Sequence, residues 1–250
     1  MLLWHSQVPN WMKSFSGDKQ QWLTMMKTHI STVATHFAGQ VESWDVVNEA
    51  FLDNGLYRST GDSGSVWYQN IGAEFIEEAF ITASQADPNA DLYYNDYNLS
   101  SSSSKINAVV AMVEDFQARN IPIDGVGFQM HVTSSYPSDD TIKAHFKKIV
   151  DLGLKVKITE LDVRMNANSQ HQQVSDAILK LQQQRYFDIV SAYLEAVPAA
   201  QRGGITIWGI SDADSWILNL YDQEDWPLLF DENFNEKPAL QGVAQALNKN

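Results

Sequence analysis

Two segments of the chain run through apolar and β-branched residues to a glutamate: Trp44-Asp45-Val46-Val47-Asn48-Glu49 and Ile158-Thr159-Glu160-Leu161-Asp162. Each reads as a strand that delivers a carboxylate at its end. Two carboxylates brought to one place by separate strands supply what hydrolysis of a glycosidic bond requires. One holds a proton and gives it to the leaving oxygen; the other is ionised, and attacks the sugar or activates water. Glu160 and Asp162 are two residues apart, so on an extended strand they face one side. Gln129 and His131 have the same spacing in Gly125-Val126-Gly127-Phe128-Gln129-Met130-His131 and are expected to share a face, with the imidazole in reach of Glu160 on the next strand. Asn48 and Glu49 are adjacent, so both serve one site only if the strand ends or bulges there.

Other chemistries find less support. The chain has no cysteine, and no G-x-S-x-G elbow occurs, so thiol and serine nucleophiles are not indicated. Asp212, Asp214 and the acidic run 222–225 invite comparison with a cation site, but no spacing matches a calcium loop. Neither a metal nor a cofactor is expected.

The elements that must position these residues are legible as alternating patterns. Strand-like runs fall at 2–5, 41–47, 91–95, 125–131, 155–160 and 205–210, short and mostly apolar, as strands covered on both faces are. Between them lie helical stripes: Trp22, Met26, Ile30, Val33 and Phe37; Ile71, Phe75, Ala79 and Phe80; Ile106, Val109, Val110 and Val113; Ile142, Phe146 and Ile149; Val174, Ile178, Leu181 and Ile189. Leu240, Val243, Ala244 and Leu247 form a last stripe behind Pro238. Strict alternation of strand and helix predicts a parallel sheet. The glycine-rich first turns of doubly wound sheets are missing, and polar residues cluster just after several different strands, which favours a (β/α)8 barrel of the TIM type. No linker or repeat divides the chain, so residues 1–250 are expected to form a single catalytic domain.

The bulk numbers narrow the partners. A formal net charge of -14 argues against nucleic acid or an anionic membrane surface. No apolar run is long enough for a transmembrane helix. Residues 1–20 lack the apolar stretch of an export signal.

The runs Leu3-Trp4-His5-Ser6-Gln7-Val8-Pro9-Asn10-Trp11, WDVVNEAF, Tyr94-Asn95-Asp96-Tyr97-Asn98, GVGFQMHV, ITELDV, ITIWGISDADSW and PLLFDENFNEKPAL together resemble glycoside hydrolase family 10, in that family's order and over the whole chain. The resemblance implies a retaining endo-β-1,4-xylanase on a (β/α)8 barrel. It implies Glu49 as general acid/base, Glu160 as nucleophile, and Asn48 as hydrogen-bond partner of the sugar 2-hydroxyl. His131 would hold Glu160, with Asp162 supporting the histidine. Trp4, Gln7, Gln129, Trp208 and Trp216 would line sugar subsites, with Tyr97 on the leaving-group side. Its partners would be xylan and xylo-oligosaccharides, and its location extracellular or at the cell surface. Counted against the family, the six strands correspond to barrel strands three to eight, so the barrel lacks its first two βα units. Two expectations follow: self-association through open barrel edges or completion by a missing N-terminal segment, and, as the alternative to hydrolysis, a catalytically impaired xylan-binding remnant.

Overall fold

The computed structural model describes residues 1–61 and 64–249. The chain clusters into two compact units, one of residues 1–97 with 102–127, the other of residues 98–101 with everything from Phe128 onward.

The first unit runs Leu3–Trp4 (β1), Asn10–Lys13 (α1), Lys19–His36 (α2), Ser43–Asn48 (β2), Val66–Ile71 (α3), Phe75–Ala86 (α4), Asp91–Asp96 (β3), Ser103–Ala118 (α5) and Gly125–Phe128 (β4), whose last residue opens the second unit. Its strands lie in the order β1-β2-β3-β4. The first three are parallel, with Trp4 opposite Asn48 and Asn48 opposite Asn95. Helix α2 starts in a capping box between Asp18 and Gln21, and the Ser102 hydroxyl caps α5. Met26, Ile30, Val46, Phe80, Tyr94, Ile106 and Val109 are wholly buried. The α2 stripe is Trp22, Leu23, Met26, Ile30 and Ala34, and Phe37, expected to extend it, lies beyond the helix and is exposed.

The second unit runs His131–Thr133 (β5), Asp139–Val150 (α6), Lys155–Arg164 (β6), Asp176–Ala196 (α7), Arg202–Ile207 (β7), Trp216–Tyr221 (α8) and Pro238–Asn248 (α9). Strand β6 pairs in parallel with both β5 and β7. Phe146, Val156, Ile158, Tyr186 and Ile189 fill the core beneath it.

The alternation of strand and helix and the parallel pairing agree with expectation; several details besides Phe37 do not. Val174 and Leu181, expected on one helical stripe with Ile178 and Ile189, are exposed, and Val174 lies before α7 begins. The run 125–131 is two strands, because Met130 adopts a left-handed conformation (φ 64) that ends the pleat. Gln129 and His131 therefore do not share a face by simple alternation. Strand β6 continues to Arg164, so Glu160 and Asp162 sit inside a strand rather than at its tip. Finally, α9 does not bury Leu240, Val243, Ala244 and Leu247; its buried residues are Ala239, Gly242 and Ala246, and Leu247 is exposed. The small residues permit close approach: a Cβ on Gly242 would lie 2.2 Å from the Gln183 carbonyl oxygen on α7. A large apolar side chain there has no room; Leu240 stays half-buried and Leu247 is exposed. Gly242→Ala is expected to force α9 off α7 and to destabilise the fold by about 1–3 kcal/mol, the usual cost of overpacking, in urea unfolding followed by circular dichroism.

Candidate active-site residues

Glu49 stands one residue beyond the end of β2 and has φ 59, a left-handed conformation that a non-glycine residue holds only under restraint. Three backbone contacts restrain it. Its amide donates to the Asn95 carbonyl at 2.9 Å. Its carbonyl accepts from Arg58 Nε at 3.0 Å, and the next amide, that of Ala50, donates to the Tyr94 hydroxyl at 3.0 Å. The turn out of the strand lets Asn48 and Glu49 converge, as their adjacency requires: Asn48 Nδ2 donates to Glu49 Oε1 at 3.2 Å. The opposite oxygen, Oε2, lies 3.0 Å from His5 Nε2. Asn95 fixes the Asn48 amide by donating to its Oδ1 at 2.9 Å.

Around this carboxyl the other expected residues of the first unit fall as follows. Trp4 is half-buried, its ring edge-on to His5, and its carbonyl accepts from the Trp67 indole. Gln7 is exposed with φ 53. The Tyr97 hydroxyl accepts from the Arg58 guanidinium at 2.9 Å, and the Lys105 ammonium lies 3.4 Å from its ring centroid. The sequence alone does not single out His5, Arg58 and Asn95. Asn95 carries a signal, a polar residue that follows the apolar run Leu92-Tyr93-Tyr94 near the end of its strand; Arg58, in a loop, carries none.

In the second unit the register places His131 opposite Asp162. The imidazole bridges two carboxylates on one face of β6: Nδ1 lies 2.9 Å from Asp162 Oδ2 and Nε2 lies 3.3 Å from Glu160 Oε2. Asp162 is fully buried and Glu160 nearly so. Burial pulls the His131 pKa down, but the hydrogen bonds and charges of Asp162 and Glu160 more than offset it, and the pKa rises to about 9. At neutral pH the ring is an imidazolium that donates through both nitrogens. Trp216, at the start of α8, donates its indole N–H to Asp162 Oδ2 at 2.8 Å and packs against the imidazole, ring centroids 4.9 Å apart. Gln129 is buried, and its carbonyl accepts the Glu160 amide at 3.0 Å. Trp208 follows β7; its amide donates to the Leu161 carbonyl and the residue is 43% exposed.

Two of the acidic residues considered as cation ligands, Asp212 and Asp225, have protein partners instead. Asp212 accepts from Lys237 Nζ at 2.7 Å. Asp225 accepts the amides of Met165, Asn166 and Trp226. Among the described residues, no group of three or more acidic, histidine or cysteine side chains could hold a metal ion. No described helix is long and apolar enough to cross a membrane.

The His131 bridge gives a titration prediction. A histidine whose pKa is raised by folding contributes stability that is complete below its unfolded value of about 6.5 and is lost as the pH rises through about 9. NMR titration of the imidazole should find the His131 midpoint near 9. In Asp162→Asn the midpoint should fall toward that of a free histidine.

With this geometry in view, comparison with known proteins gives one consistent result. The sequence profile described as Glycosyl hydrolase family 10 matches residues 1–246. The chain is 49% identical to endo-beta-1,4-xylanase Xyn10C of Cellvibrio japonicus over 98% of its own length and 44% of the relative's. It is 47% identical to endo-1,4-beta-xylanase A of Cellvibrio japonicus (strain Ueda107), covering 99% of this chain and 43% of that one. The chain thus spans about half the length of these two curated relatives. Native xylanase10C from Cellvibrio japonicus superposes with a TM-score of 0.94 over 98% of this chain and 55% of that one, at 49% identity. A mutant of that xylanase has been solved in complex with xylopentaose. Native xylanase 10B from Thermotoga maritima gives 0.90 at 37% identity, over 99% and 73% of the two chains. The fold is parallel α/β, of the (β/α)8-barrel class of these structures, and the chain belongs to glycosyl hydrolase family 10.

Proposed function

We propose that this chain hydrolyses internal β-1,4-xylosidic bonds of xylan and xylo-oligosaccharides by double displacement, with retention at the anomeric carbon, and that residues 1–250 act as one catalytic domain. Glu49 protonates the glycosidic oxygen while Glu160 attacks the anomeric carbon, giving a xylosyl ester and a free leaving chain. Glu49, now ionised, takes a proton from water as the water oxygen attacks the same carbon, and Glu160 leaves as a carboxylate. This requires the two carboxyl groups about 5–5.5 Å apart across the sugar.

The observation that carries the reading is the clamp on Glu160. A nucleophilic carboxylate must be ionised and must not rotate, and an imidazolium anchored on a buried aspartate provides both. The surroundings of Glu49 suit a different role. An amide and an imidazole, one on each oxygen, keep a group that gains and loses a proton in constant orientation. Asn48 contacts the sugar 2-hydroxyl. Trp4, Gln7, Gln129, Trp208 and Trp216 line the subsites, and Tyr97 bears on the leaving group. With its N–H given to Asp162, Trp216 presents a ring face to the sugar rather than a donor. Because xylan is an extracellular polymer, the protein works outside the cell or at its surface.

Replacing Glu49 by Ala is expected to lower xylan turnover by about 10²–10⁴-fold, the span of general acid/base catalysis, and Glu160→Gln by at least as much, with unchanged circular dichroism. NMR of the first product should show the β-anomer. Activity near the unmodified level in either variant, or an α-product, would overturn the assignment. Binding of xylo-oligosaccharides with no release of reducing ends would favour the remnant that binds without turnover.

A further inference from the structure

The first unit contains a buried ion pair with no part in the scheme above. Lys105, from the first turn of α5, and Asp96, the last residue of β3, are both fully buried, with Nζ 2.7 Å from Asp96 Oδ1. A buried pair seldom stabilises a fold better than well-packed apolar residues would, so its position is informative. The ammonium also donates to the Tyr97 carbonyl at 3.2 Å, lies 3.2 Å from Asp53 Oδ1, and sits 3.4 Å from the Tyr97 ring centroid. Asp96 Oδ1 accepts the Tyr97 amide at 2.9 Å, and Oδ2 accepts the Tyr94 hydroxyl at 2.5 Å. Burial holds the Tyr94 pKa well above the ordinary phenol value, so the hydroxyl keeps its proton and donates it to Asp96. Its oxygen is thereby turned toward the Ala50 amide, which it accepts at 3.0 Å. The peptide so held is the one that follows Glu49, where a small rotation would swing the carboxyl away from the leaving oxygen.

We infer that Lys105, Asp96 and Tyr94 form a positioning relay for proton transfer, fixing the peptide after Glu49 and the Tyr97 ring to one buried charge pair so that acid and leaving-group platform keep a constant relation. The inference rests on the acid/base role proposed for Glu49. The three residues act through the peptide and the ring and not on the sugar, so they are positioning residues and not catalytic ones.

The test uses leaving groups that differ in their need for a proton. Dinitrophenyl β-xylobioside expels a stable anion without acid assistance, whereas xylotetraose requires it. In Tyr94→Phe, kcat/KM on xylotetraose should fall about 5–10-fold, the worth of one hydrogen bond, and on the dinitrophenyl substrate less than about 2-fold. Asp96→Asn/Lys105→Met, which removes both charges and leaves neither unpaired, should show the same split with a larger fall. Equal losses on the two substrates would mean general damage and would overturn the relay. Amide hydrogen exchange gives a readout independent of turnover. Ala50 should exchange about 5–10-fold faster in Tyr94→Phe, and unchanged exchange overturns the relay whatever the activity. If Ala50 responds while the unmodified chain hydrolyses neither substrate, the tie from the charge pair to the peptide after Glu49 stands, and the xylanase reading fails together with the link to proton transfer. Should the double variant not fold, Tyr94→Phe, which loses one oxygen atom, decides the question.

Discussion

A carboxylate withdrawn from water must find donors or take up a proton, and this one constraint organises the functional part of the chain. Asp162 has no exposed surface, and the two donors on its Oδ2, the imidazole of His131 and the indole of Trp216, are also what fix those rings. Once the imidazole is anchored, its second nitrogen points at Glu160. The order of dependence therefore runs from the buried aspartate outward. Without its charge the histidine would lose its largest favourable partner, and Glu160 its cationic neighbour.

The same parallel strands would build a site of quite different reach if their pleat were unbroken. Alternation sends neighbours to opposite faces, so a regular β2 would separate Asn48 from Glu49. Left-handed residues at Glu49 and Met130 interrupt β2 and the run 125–131 where the candidate site residues lie. Such conformations cost free energy, and they persist because the surrounding bonds over-determine them. At Glu49 those bonds come from Asn95, Arg58 and Tyr94, each from outside its own strand.

How much can be read from the sequence follows from the range of the forces involved. Strand and helix positions come from periodic burial, a local pattern, and β2, β3 and α5 lie within a few residues of where that pattern puts them. The pairing of His131 with Glu160 and Asp162 is legible because two-residue spacing on one strand fixes a shared face. What stays hidden depends on contacts distant in sequence. The burying face of α9 is chosen by the backbone of α7 and not by its own leucines, and Arg58 acquires its role only where its loop folds back onto Glu49 and Tyr97. The left-handed residue at Met130 has no signal, since neither glycine nor asparagine occupies the position.

The two glutamates are supported in contrasting ways, and the contrast suits the division of labour proposed for them. Glu160 has a neighbour, His131, whose pKa is raised to about 9, a setting that suits the nucleophile proposed for it. The carboxyl oxygens of Glu49 meet the Asn48 amide and the His5 imidazole, groups that can orient it in either protonation state. The buried charges of Asp96 and Lys105 lie 2.7 Å apart, and in the proposed relay they act on Glu49 through the Tyr94 hydroxyl and the peptide beyond it. In the proposed reaction Glu49 would thus be fixed in place through its backbone, while its side chain keeps the freedom to gain and lose a proton.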